Sequence, residues 1–236
     1  MIFDGKEFAE EIIAKLPRKK AKLAIFLSDD NVSGARYVKI KTEVAKRLNV
    51  EFSIFNLQFS NNFQDLIFKL NNDPEITGIM IQLPFPNSEE LIKLINPKKD
   101  VDGLREDSLY LPAVVRAVQK VLSTQCSVLR DKMICVVGSK GFVGKNLIKF
   151  YPNAVGMDKE DYDANRIKDF DIIISATGNP GLIKEIKEGA MCIDLGFPKG
   201  DFDPSIALRA SFFTPVPGGI GPVTVAMLFA NLLESM

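Results

Sequence analysis

Strand-like and helix-like segments alternate along the chain, and this alternation constrains the fold more than any other feature. Residues 22–27, 51–57 and 78–83 are apolar runs typical of buried strands. Residues 33–48 and 63–70, which lie between them, repeat their apolar side chains with helical spacing. Such alternation is typical of βαβ units, in which the strands lie parallel in one sheet. The sequence therefore predicts an α/β fold with a parallel sheet.

A second series of the same kind begins at residue 133 and predicts a second lobe. Its predicted strands are residues 133–137, 154–157, 171–176, 191–195 and 211–213, and helices are predicted at 112–122 and 222–233. We expect one lobe to comprise residues 1–115, with a C-terminal helix of residues 218–236 packing back on it, and the other to comprise residues 116–217. The expected ligand site is a cleft between the lobes, because ligands of such sheets bind at the carboxyl ends of the strands.

The composition excludes several kinds of catalytic site. The 236 residues include no histidine, which excludes a Ser-His-Asp triad, a Cys-His dyad and an HExxH zinc site. Acid–base chemistry must then come from Lys, Asp, Glu, Tyr or Cys. Neither a disulfide framework nor a zinc cluster is expected from three widely spaced cysteines, Cys126, Cys135 and Cys192. These observations favour a reducing, cytoplasmic setting and no metal site.

The charge balance bears on the partners of the chain. Thirty basic residues balance thirty acidic ones, which gives no general electrostatic attraction to nucleic acid or to a membrane. We see neither a signal peptide nor an apolar run of membrane-spanning length. A small-molecule substrate is the expected partner.

A glycine-rich turn between an apolar strand and the start of a helix is the clearest local motif. Residues 136–144 read VVGSKGFVG, with the spacing G-x-x-G-x-x-G instead of G-x-G-x-x-G. Glycines let the backbone approach a pyrophosphate, and a helix N-terminus supplies N–H groups. Asp158 ends the next predicted strand, 20 residues after Gly138, where an acidic residue often holds ribose hydroxyls. A nucleotide site is therefore predicted, although Asp158 is equally compatible with a solvated carboxylate.

Two further turns follow predicted strands of the second lobe. They are residues 175–180, SATGNP, and residues 194–197, DLGF. Turns at strand carboxyl ends line the ligand crevice of a doubly wound sheet. Gly, Asn and Pro are also the usual residues of ordinary turns, so both interpretations stay open.

Four polar residues stand out in the first lobe. Tyr37 and Lys41 are four residues apart and share one face of a predicted helix. Lys41 could be a lysine at the edge of an apolar stripe, with its amine reaching solvent. Gln82 interrupts an apolar strand and needs hydrogen-bond partners if it is buried, and Asp102 precedes a glycine in a turn. Each is compatible with a structural role when it is considered alone.

Several motifs follow one another in a fixed order. They are DGK at 4–6, YVxxK at 37–41, GIMIQLPFP at 78–86, KDVDG at 99–103, the glycine turn at 138–144, ATGNP at 176–180, IDLG at 193–196 and TPVPGGIGPVTVAM at 214–227. In these motifs the chain resembles the bifunctional methylenetetrahydrofolate dehydrogenase/cyclohydrolases of one-carbon metabolism. The resemblance spans nearly the whole sequence, and its last motif is long and highly specific. It implies a catalytic lobe, a Rossmann-like NAD(P)-binding lobe and a homodimer.

The resemblance also implies roles for individual residues. Lys41 matches the catalytic lysine, Gln82 the glutamine that hydrogen-bonds it, and Tyr37 the tyrosine that stacks on the aminobenzoate ring of folate. Asp102 matches the carboxylate that binds the pterin. The residues that match the loop closing over the folate are Pro217, Gly218 and Gly219. The expected cofactor-binding residues are Gly138, Ser139, Lys140, Val143, Gly144, Asp158, Thr177, Gly178 and Phe197.

The implied activity is oxidation of 5,10-methylenetetrahydrofolate with NAD(P), followed by hydrolysis of the methenyl product to 10-formyltetrahydrofolate. Hydride transfer depends on positioning more than on an acid or a base, which suits a chain without histidine. We expect Lys41, partly desolvated and held by Gln82, to have a lowered pKa and to move protons in the hydration step.

The choice between NADP and NAD stays open. The family default is NADP, but Ser139-Lys140 stands where the family often has Arg-Ser, and that arginine serves the 2′-phosphate. Lys140 or Lys145 could compensate only as a point charge. Asp158 stands where the family often has Ser, and a carboxylate there repels a 2′-phosphate. Asp158 and the missing arginine favour NAD, whereas the family default favours NADP, and on that default NADP is placed ahead of NAD.

Three other functions are weighed against this one. A dehydrogenase without cyclohydrolase activity would be marked by loss of Lys41 or Gln82, and both are present. Another two-lobed dehydrogenase, such as a shikimate-type enzyme, leaves the motif at 214–227 unexplained. A non-catalytic folate or nucleotide sensor would bind without converting substrate, so a turnover assay separates it.

Overall fold

The chain forms two compact units, each built around a parallel sheet. The computed structural model describes residues 1–56, 62–126 and 129–234. One unit comprises Glu10–Ala113 with Val225–Met236, and the other comprises Met1–Ala9 with Val114–Thr224. We call them the three-stranded unit and the five-stranded unit, after their sheets. The predicted α/β class, with parallel sheets in two domains, is confirmed.

The elements of the described residues have the following bounds. The helices are α1 (Gly5–Lys15), α2 (Val32–Leu48), α3 (Phe63–Asn72), α4 (Ser88–Leu94), α5 (Ala113–Gln125), α6 (Phe142–Phe150) and α7 (Ile220–Glu234). The strands are β1 (Ala21–Leu27), β2 (Val50–Phe55), β3 (Gly78–Gln82), β4 (Ile134–Val137), β5 (Val155–Met157), β6 (Ile172–Ser175), β7 (Met191–Asp194) and β8 (Phe212–Thr214). Short 3₁₀ helices span Arg166–Asp169 and Pro204–Leu208.

The three-stranded sheet has the order β2-β1-β3, with all strands parallel. Strand β1 lies in the middle and is fully buried from Leu23 to Phe26, which explains its continuous apolar sequence. Because β2 and β3 lie on opposite sides of β1, the strand order reverses between β1 and β3. Their carboxyl ends meet at Leu27 and Gln82, which are paired in register. This end of the sheet is the topological switch point, where such sheets bind ligands.

The five-stranded sheet has the order β5-β4-β6-β7-β8, also fully parallel. Its central strand, β6, carries Ile172, Ile173 and Ile174, all with no exposed surface. The strand order reverses between β4 and β6, where Val137 pairs with Ser175. The turns that follow these two strands therefore lie at the second switch point.

The first nine residues belong to the five-stranded unit, whereas the sequence placed them in a lobe of residues 1–115. Ile2 forms a parallel bridge with Phe213, and the Phe3 N–H donates to the Phe213 carbonyl at 2.9 Å. The ring of Phe3 also packs against Phe212, with centroids 5.4 Å apart. Backbone hydrogen bonds to β8 therefore determine where the N-terminal residues lie.

The other predicted elements are present, with ends that differ by a few residues. Strand β3 ends at Gln82, one residue earlier than predicted, just before the Leu83–Pro84 peptide. Proline has no backbone N–H to continue the ladder. The predicted strand end at Leu57 lies outside the described residues. Helices α1 and α4 were not predicted. No helix of the described residues is long and apolar enough to cross a membrane.

Candidate active site

Helix α2 and strand β3 bring Lys41 and Gln82 together. The Lys41 Nζ donates to Gln82 Oε1 at 2.7 Å and contacts the Met80 sulfur at 3.6 Å. Met80 and Gln82 are two residues apart on one strand, so both side chains point to the same face of the sheet. Only 7% of Lys41 is exposed. Lys41 is therefore a buried lysine and not one that reaches solvent at the edge of a stripe.

Burial governs the charge state of this lysine. Desolvation lowers the pKa of Lys41, and the charge of Asp102 opposes that shift. The pKa of Asp102 is raised by burial and again by the charge of Asp100, while Lys41 acts in the other direction. Lys41 therefore loses its proton more readily than an exposed lysine, which is the property of a group that moves protons.

The turn after β3 and α4 presents Asp102 beside this lysine. The buried Asp100 accepts hydrogen bonds from the N–H groups of Leu104 and Arg105, at 3.2 and 2.8 Å. The Asp102 carbonyl accepts from the Ala113 N–H at 3.2 Å. Hydrogen bonds on both sides thus fix the turn, and Asp102 stays half-buried.

Tyr37 lies one helical turn before Lys41 on α2. Its ring is half-buried, and burial raises the pKa of its phenol. The side chain is therefore neutral over the physiological pH range. A neutral, partly exposed aromatic ring is suited to stacking against a flat ligand group.

Asn31 ties these two elements together, and it was not predicted from the sequence. The Asn31 Oδ1 caps α2 by accepting from the Gly34 N–H at 2.7 Å, and Nδ2 donates to the Gln82 and Pro84 carbonyls at 3.4 and 3.0 Å. The Asn31 side chain can take this position only because residue 34 is a glycine, since a Cβ there would lie 2.4 Å from Asn31 Nδ2. An Asn before a helix signals a cap, but only the fold shows that it also reaches β3.

The glycine turn after β4 has the tight backbone that its sequence predicts. Gly138 has a φ of +84°, and a Cβ there would lie 2.6 Å from the Ala176 carbonyl oxygen. A Cβ at Gly144 would lie 2.0 Å from the Gly138 carbonyl oxygen. Helix α6 then starts after Gly141, which has no side chain to cap the first N–H groups. The turn therefore leaves a helix N-terminus able to accept an anionic group.

Asp158 lies directly against this turn. Its Oδ2 accepts from the Lys140 N–H at 2.7 Å, and its Oδ1 accepts from the Lys159 N–H at 2.9 Å. The first of these hydrogen bonds is the main reason why the pKa of Asp158 is lowered. The Lys140 ammonium is paired with Glu160, at 2.7 Å. An ionised carboxylate therefore lies just after β5, and the ammonium of Lys140, whose N–H it accepts from, is bound to another acid.

Three other loops that carry predicted site residues lie in the five-stranded unit. Thr177 and Gly178 follow β6, directly beside the glycine turn, because Ala176 contacts Gly138. Phe197 follows β7 and is 42% exposed. The loop of Pro217, Gly218 and Gly219 is held by the Gly5 N–H, which donates to the Gly218 carbonyl at 2.9 Å.

The structure thus groups the predicted residues in two sets. The three-stranded unit brings together Tyr37, Lys41, Gln82 and Asp102. The five-stranded unit holds the predicted cofactor residues and Pro217, Gly218 and Gly219. No group of three or more potential metal-ligating side chains was found in the described part of the chain.

Comparison with known proteins identifies the family. Residues 3–102 match the catalytic domain, and residues 112–236 the NAD(P)-binding domain, of tetrahydrofolate dehydrogenase/cyclohydrolase. The chain belongs to this family. The bifunctional protein FolD of Helicobacter hepaticus is 32% identical, over 99% of this chain and 96% of its own. FolD of Hydrogenobaculum sp. is 33% identical, over 99% and 98%. The resemblance stated from the sequence motifs is therefore confirmed.

Solved structures of the tetrahydrofolate dehydrogenase/cyclohydrolase family have the same fold. The bifunctional FolD of Campylobacter jejuni has a TM-score of 0.91 and 27% identity, over 100% of this chain and 98% of its own. The Trypanosoma brucei FolD complexed with NADP and an inhibitor has a TM-score of 0.88 and 25% identity, over 99% and 96%. A shikimate dehydrogenase of Peptoclostridium difficile, with 16% identity and a TM-score of 0.54, shares the fold alone.

Proposed function

We propose that this chain oxidises 5,10-methylenetetrahydrofolate with a nicotinamide dinucleotide and hydrolyses the methenyl product to 10-formyltetrahydrofolate. The observation that carries the proposal is the buried Lys41, hydrogen-bonded to Gln82 beside Asp102, in a member of this family. A protein that only bound folate would gain nothing from a desolvated amine, which is unfavourable to bury. A dehydrogenase without the second activity would not need it either.

The folate is bound by side chains with different chemistry. Tyr37 offers a neutral, half-buried ring for stacking on the aminobenzoate group. The Asp102 carboxyl group accepts hydrogen bonds from the N–H groups of the pterin. We assign Pro217, Gly218 and Gly219 to the loop that contacts the substrate.

Lys41 moves the proton in the hydration step. Water that adds to the methenyl carbon must lose a proton, and a neutral amine near the reacting carbon can accept it. Gln82 orients Lys41 by accepting a hydrogen bond from Nζ, which directs the amine without adding charge. Gln82 is therefore a positioning residue, while Lys41 carries the proton.

The five-stranded unit has the features required to hold the nicotinamide dinucleotide. Gly138 and Gly144 leave no room for a Cβ, and the start of α6 has backbone N–H groups suited to a pyrophosphate. A dinucleotide held there would supply the acceptor for the hydride of the bridging methylene carbon. The further residues that we assign to this site are Ser139, Lys140, Val143, Asp158, Thr177, Gly178 and Phe197.

We also propose that NAD is preferred to NADP, against the family default. The lowered pKa of Asp158 keeps this carboxylate ionised against the glycine turn. Lys140 is paired with Glu160, and an exposed pair of this kind offers little net charge to a 2′-phosphate. A carboxylate accepts hydrogen bonds from ribose hydroxyls but repels a phosphate at the same place.

Asp158→Ser is expected to raise the ratio of kcat/KM for NADP to that for NAD by about tenfold or more. Like charges about 4 Å apart repel by roughly 1–4 kcal/mol near a protein surface. Initial rates with both cofactors measure the ratio. Asp163→Ser is the matched control, because Asp163 belongs to the same acidic stretch and accepts from the Asn165 N–H. An equal change in both variants would contradict a specific role of Asp158.

The pH dependence of hydrolysis tests the role of Lys41. The neutral amine is the active form, so the rate rises with pH through a pKa that burial has lowered. Gln82→Glu places a negative charge beside Nζ, which raises the pKa of Lys41 and moves this rise to higher pH. The measurement is kcat/KM for methenyltetrahydrofolate against pH in both proteins. A rise that does not move in Gln82→Glu would assign it to another group.

Product analysis tests the function as a whole. Methylenetetrahydrofolate deuterated at the bridging carbon is incubated with the protein and oxidised NAD. We expect one deuterium in the reduced nicotinamide and an equivalent amount of 10-formyltetrahydrofolate. Absence of deuterium from the nicotinamide would contradict the dehydrogenase activity. Deuterated methenyltetrahydrofolate that accumulates, and hydrolyses no faster than it does without protein, would contradict the cyclohydrolase activity.

A further inference from the structure

The carboxylate of Asp201 holds the loop that follows β6. Asp201 has no exposed surface. Its Oδ2 accepts from Ser175 Oγ at 2.8 Å, from the Thr177 N–H at 2.8 Å and from the Gly178 N–H at 3.3 Å. A single oxygen therefore binds the last side chain of the strand and two backbone N–H groups of the loop.

Asp201 is itself held at both of its backbone groups. Its N–H donates to Asp194 Oδ1 at 3.0 Å, and its carbonyl accepts from the Ile183 N–H at 3.0 Å. Gly196 lies close to the other carboxylate oxygen, since a Cβ there would be 2.7 Å from Asp201 Oδ1. The backbone of Asp201 is thus held in place, and its carboxylate determines the position of the loop after β6.

The buried carboxylate of Asp201 does not favour the stability of the fold. Within the described residues, Asp201 Oδ1 has no hydrogen-bond partner although it is buried. A second buried carboxylate, Asp194, lies nearby, and burial together with the charge of Asp201 raises the pKa of Asp194. Burying charge with incomplete hydrogen bonding opposes folding. A functional reason for keeping Asp201 is therefore expected.

We propose that Asp201 is a positioning residue for the nicotinamide dinucleotide, acting through Thr177 and Gly178. Gly178 has a φ of +62°, and no described atom lies within 4 Å of the place where its Cβ would stand. One side of the loop is thus bound to Asp201, and the other side leaves free space at Gly178. The inference rests on the proposed function of this loop in cofactor binding. Asp201 itself needs no contact with the cofactor.

The test compares Asp201→Asn with the wild-type chain. An amide accepts these three hydrogen bonds more weakly than a carboxylate, because charge-assisted hydrogen bonds are about twice as strong as neutral ones. We expect the Kd for NAD, measured by titration calorimetry without folate, and the KM for NAD each to rise about tenfold. Hydrolysis of added methenyltetrahydrofolate, which uses no nicotinamide, is expected to stay within about twofold of wild type.

Two control variants separate positioning from stability. Asp171→Asn makes the same chemical change just before β6, where Asp171 accepts from the Met133 N–H at 3.0 Å and pairs with Lys187. It is expected to lower the melting temperature without changing the Kd for NAD. Ser175→Ala removes one donor and leaves both loop N–H groups on Asp201, so its effect on NAD should be smaller than that of Asp201→Asn.

Several outcomes would overturn the inference. An unchanged Kd for NAD in Asp201→Asn would show that the loop does not depend on this carboxylate. Equal losses of NAD binding and of hydrolysis would show a merely structural role. A wild-type chain that hydrolyses methenyltetrahydrofolate but binds neither NAD nor NADP would instead overturn the proposed dehydrogenase function, and this inference with it.

Discussion

Lys41→Met is expected to lower the rate of methenyltetrahydrofolate hydrolysis by about 10²–10⁴-fold, the usual contribution of a positioned general acid or base. Methionine is an unbranched side chain of similar length, and it would lie beside the Met80 sulfur, which the Lys41 amine now contacts. The change therefore removes the amine with little loss of packing. Hydride transfer needs no proton at this position, so nicotinamide reduction should decline much less.

The comparison is made with Lys39→Met, on the same helix. Lys39 is exposed, so its replacement removes a charge from α2 without touching the buried pair. Stopped-flow loss of the methenyl absorbance measures hydrolysis in both variants. Full hydrolysis in Lys41→Met would reject the proton-transfer role, and a loss of similar size in Lys39→Met would point to a general effect of charge on α2.

Gly138→Ala is expected to reduce kcat/KM for the nicotinamide dinucleotide by about a hundredfold, because misplacing groups by about 1 Å can cost that much. The new Cβ would lie 2.6 Å from the Ala176 carbonyl oxygen, so the turns after β4 and β6 must separate. Both turns contain residues that we assign to the cofactor. Hydrolysis of methenyltetrahydrofolate takes place without the cofactor and should be largely retained.

Gly189→Ala provides the matched control. Gly189 also has a positive φ, +76°, but no described atom lies within 4 Å of its Cβ position. Its replacement therefore introduces the backbone strain alone, about 1–2 kcal/mol for a left-handed residue. Urea unfolding measures the stability of both variants, and cofactor titration measures binding. If both variants bound NAD equally weakly, the close approach at Gly138 would have no specific role.

Much of the fold could be predicted because parallel strands are buried on both faces. The runs at Leu23–Phe26 and Ile172–Ile174 are continuously apolar, and this pattern identifies them without tertiary information. Helix α2 was predicted from the period of its apolar positions. Helix α4 has only seven residues, too few for a period to be distinctive. The position of residues 1–9 depends on pairing with Phe213, more than 200 residues away, which local pattern does not encode.

The residues of the candidate site were likewise only partly predictable from the sequence. Residue chemistry alone left Lys41 open to interpretation as a surface lysine, and the family resemblance made it a catalytic candidate. The structure supports that assignment through the 2.7 Å hydrogen bond to Gln82 and the burial of the amine. Asn31 and Asp201 were missed, because their roles lie in hydrogen bonds to distant segments. Polar residues near turns are common, and only their hydrogen-bond partners in the folded protein show which of them have such a role.

The central claim is that one chain carries out both reactions with a nicotinamide dinucleotide. The most direct measurement is the initial rate of nicotinamide reduction after addition of 5,10-methylenetetrahydrofolate, with NAD and NADP side by side. We predict reduction with both cofactors, faster with NAD, accompanied by an equivalent amount of 10-formyltetrahydrofolate. Absence of reduction with either cofactor, in a preparation that binds folate, would contradict the account.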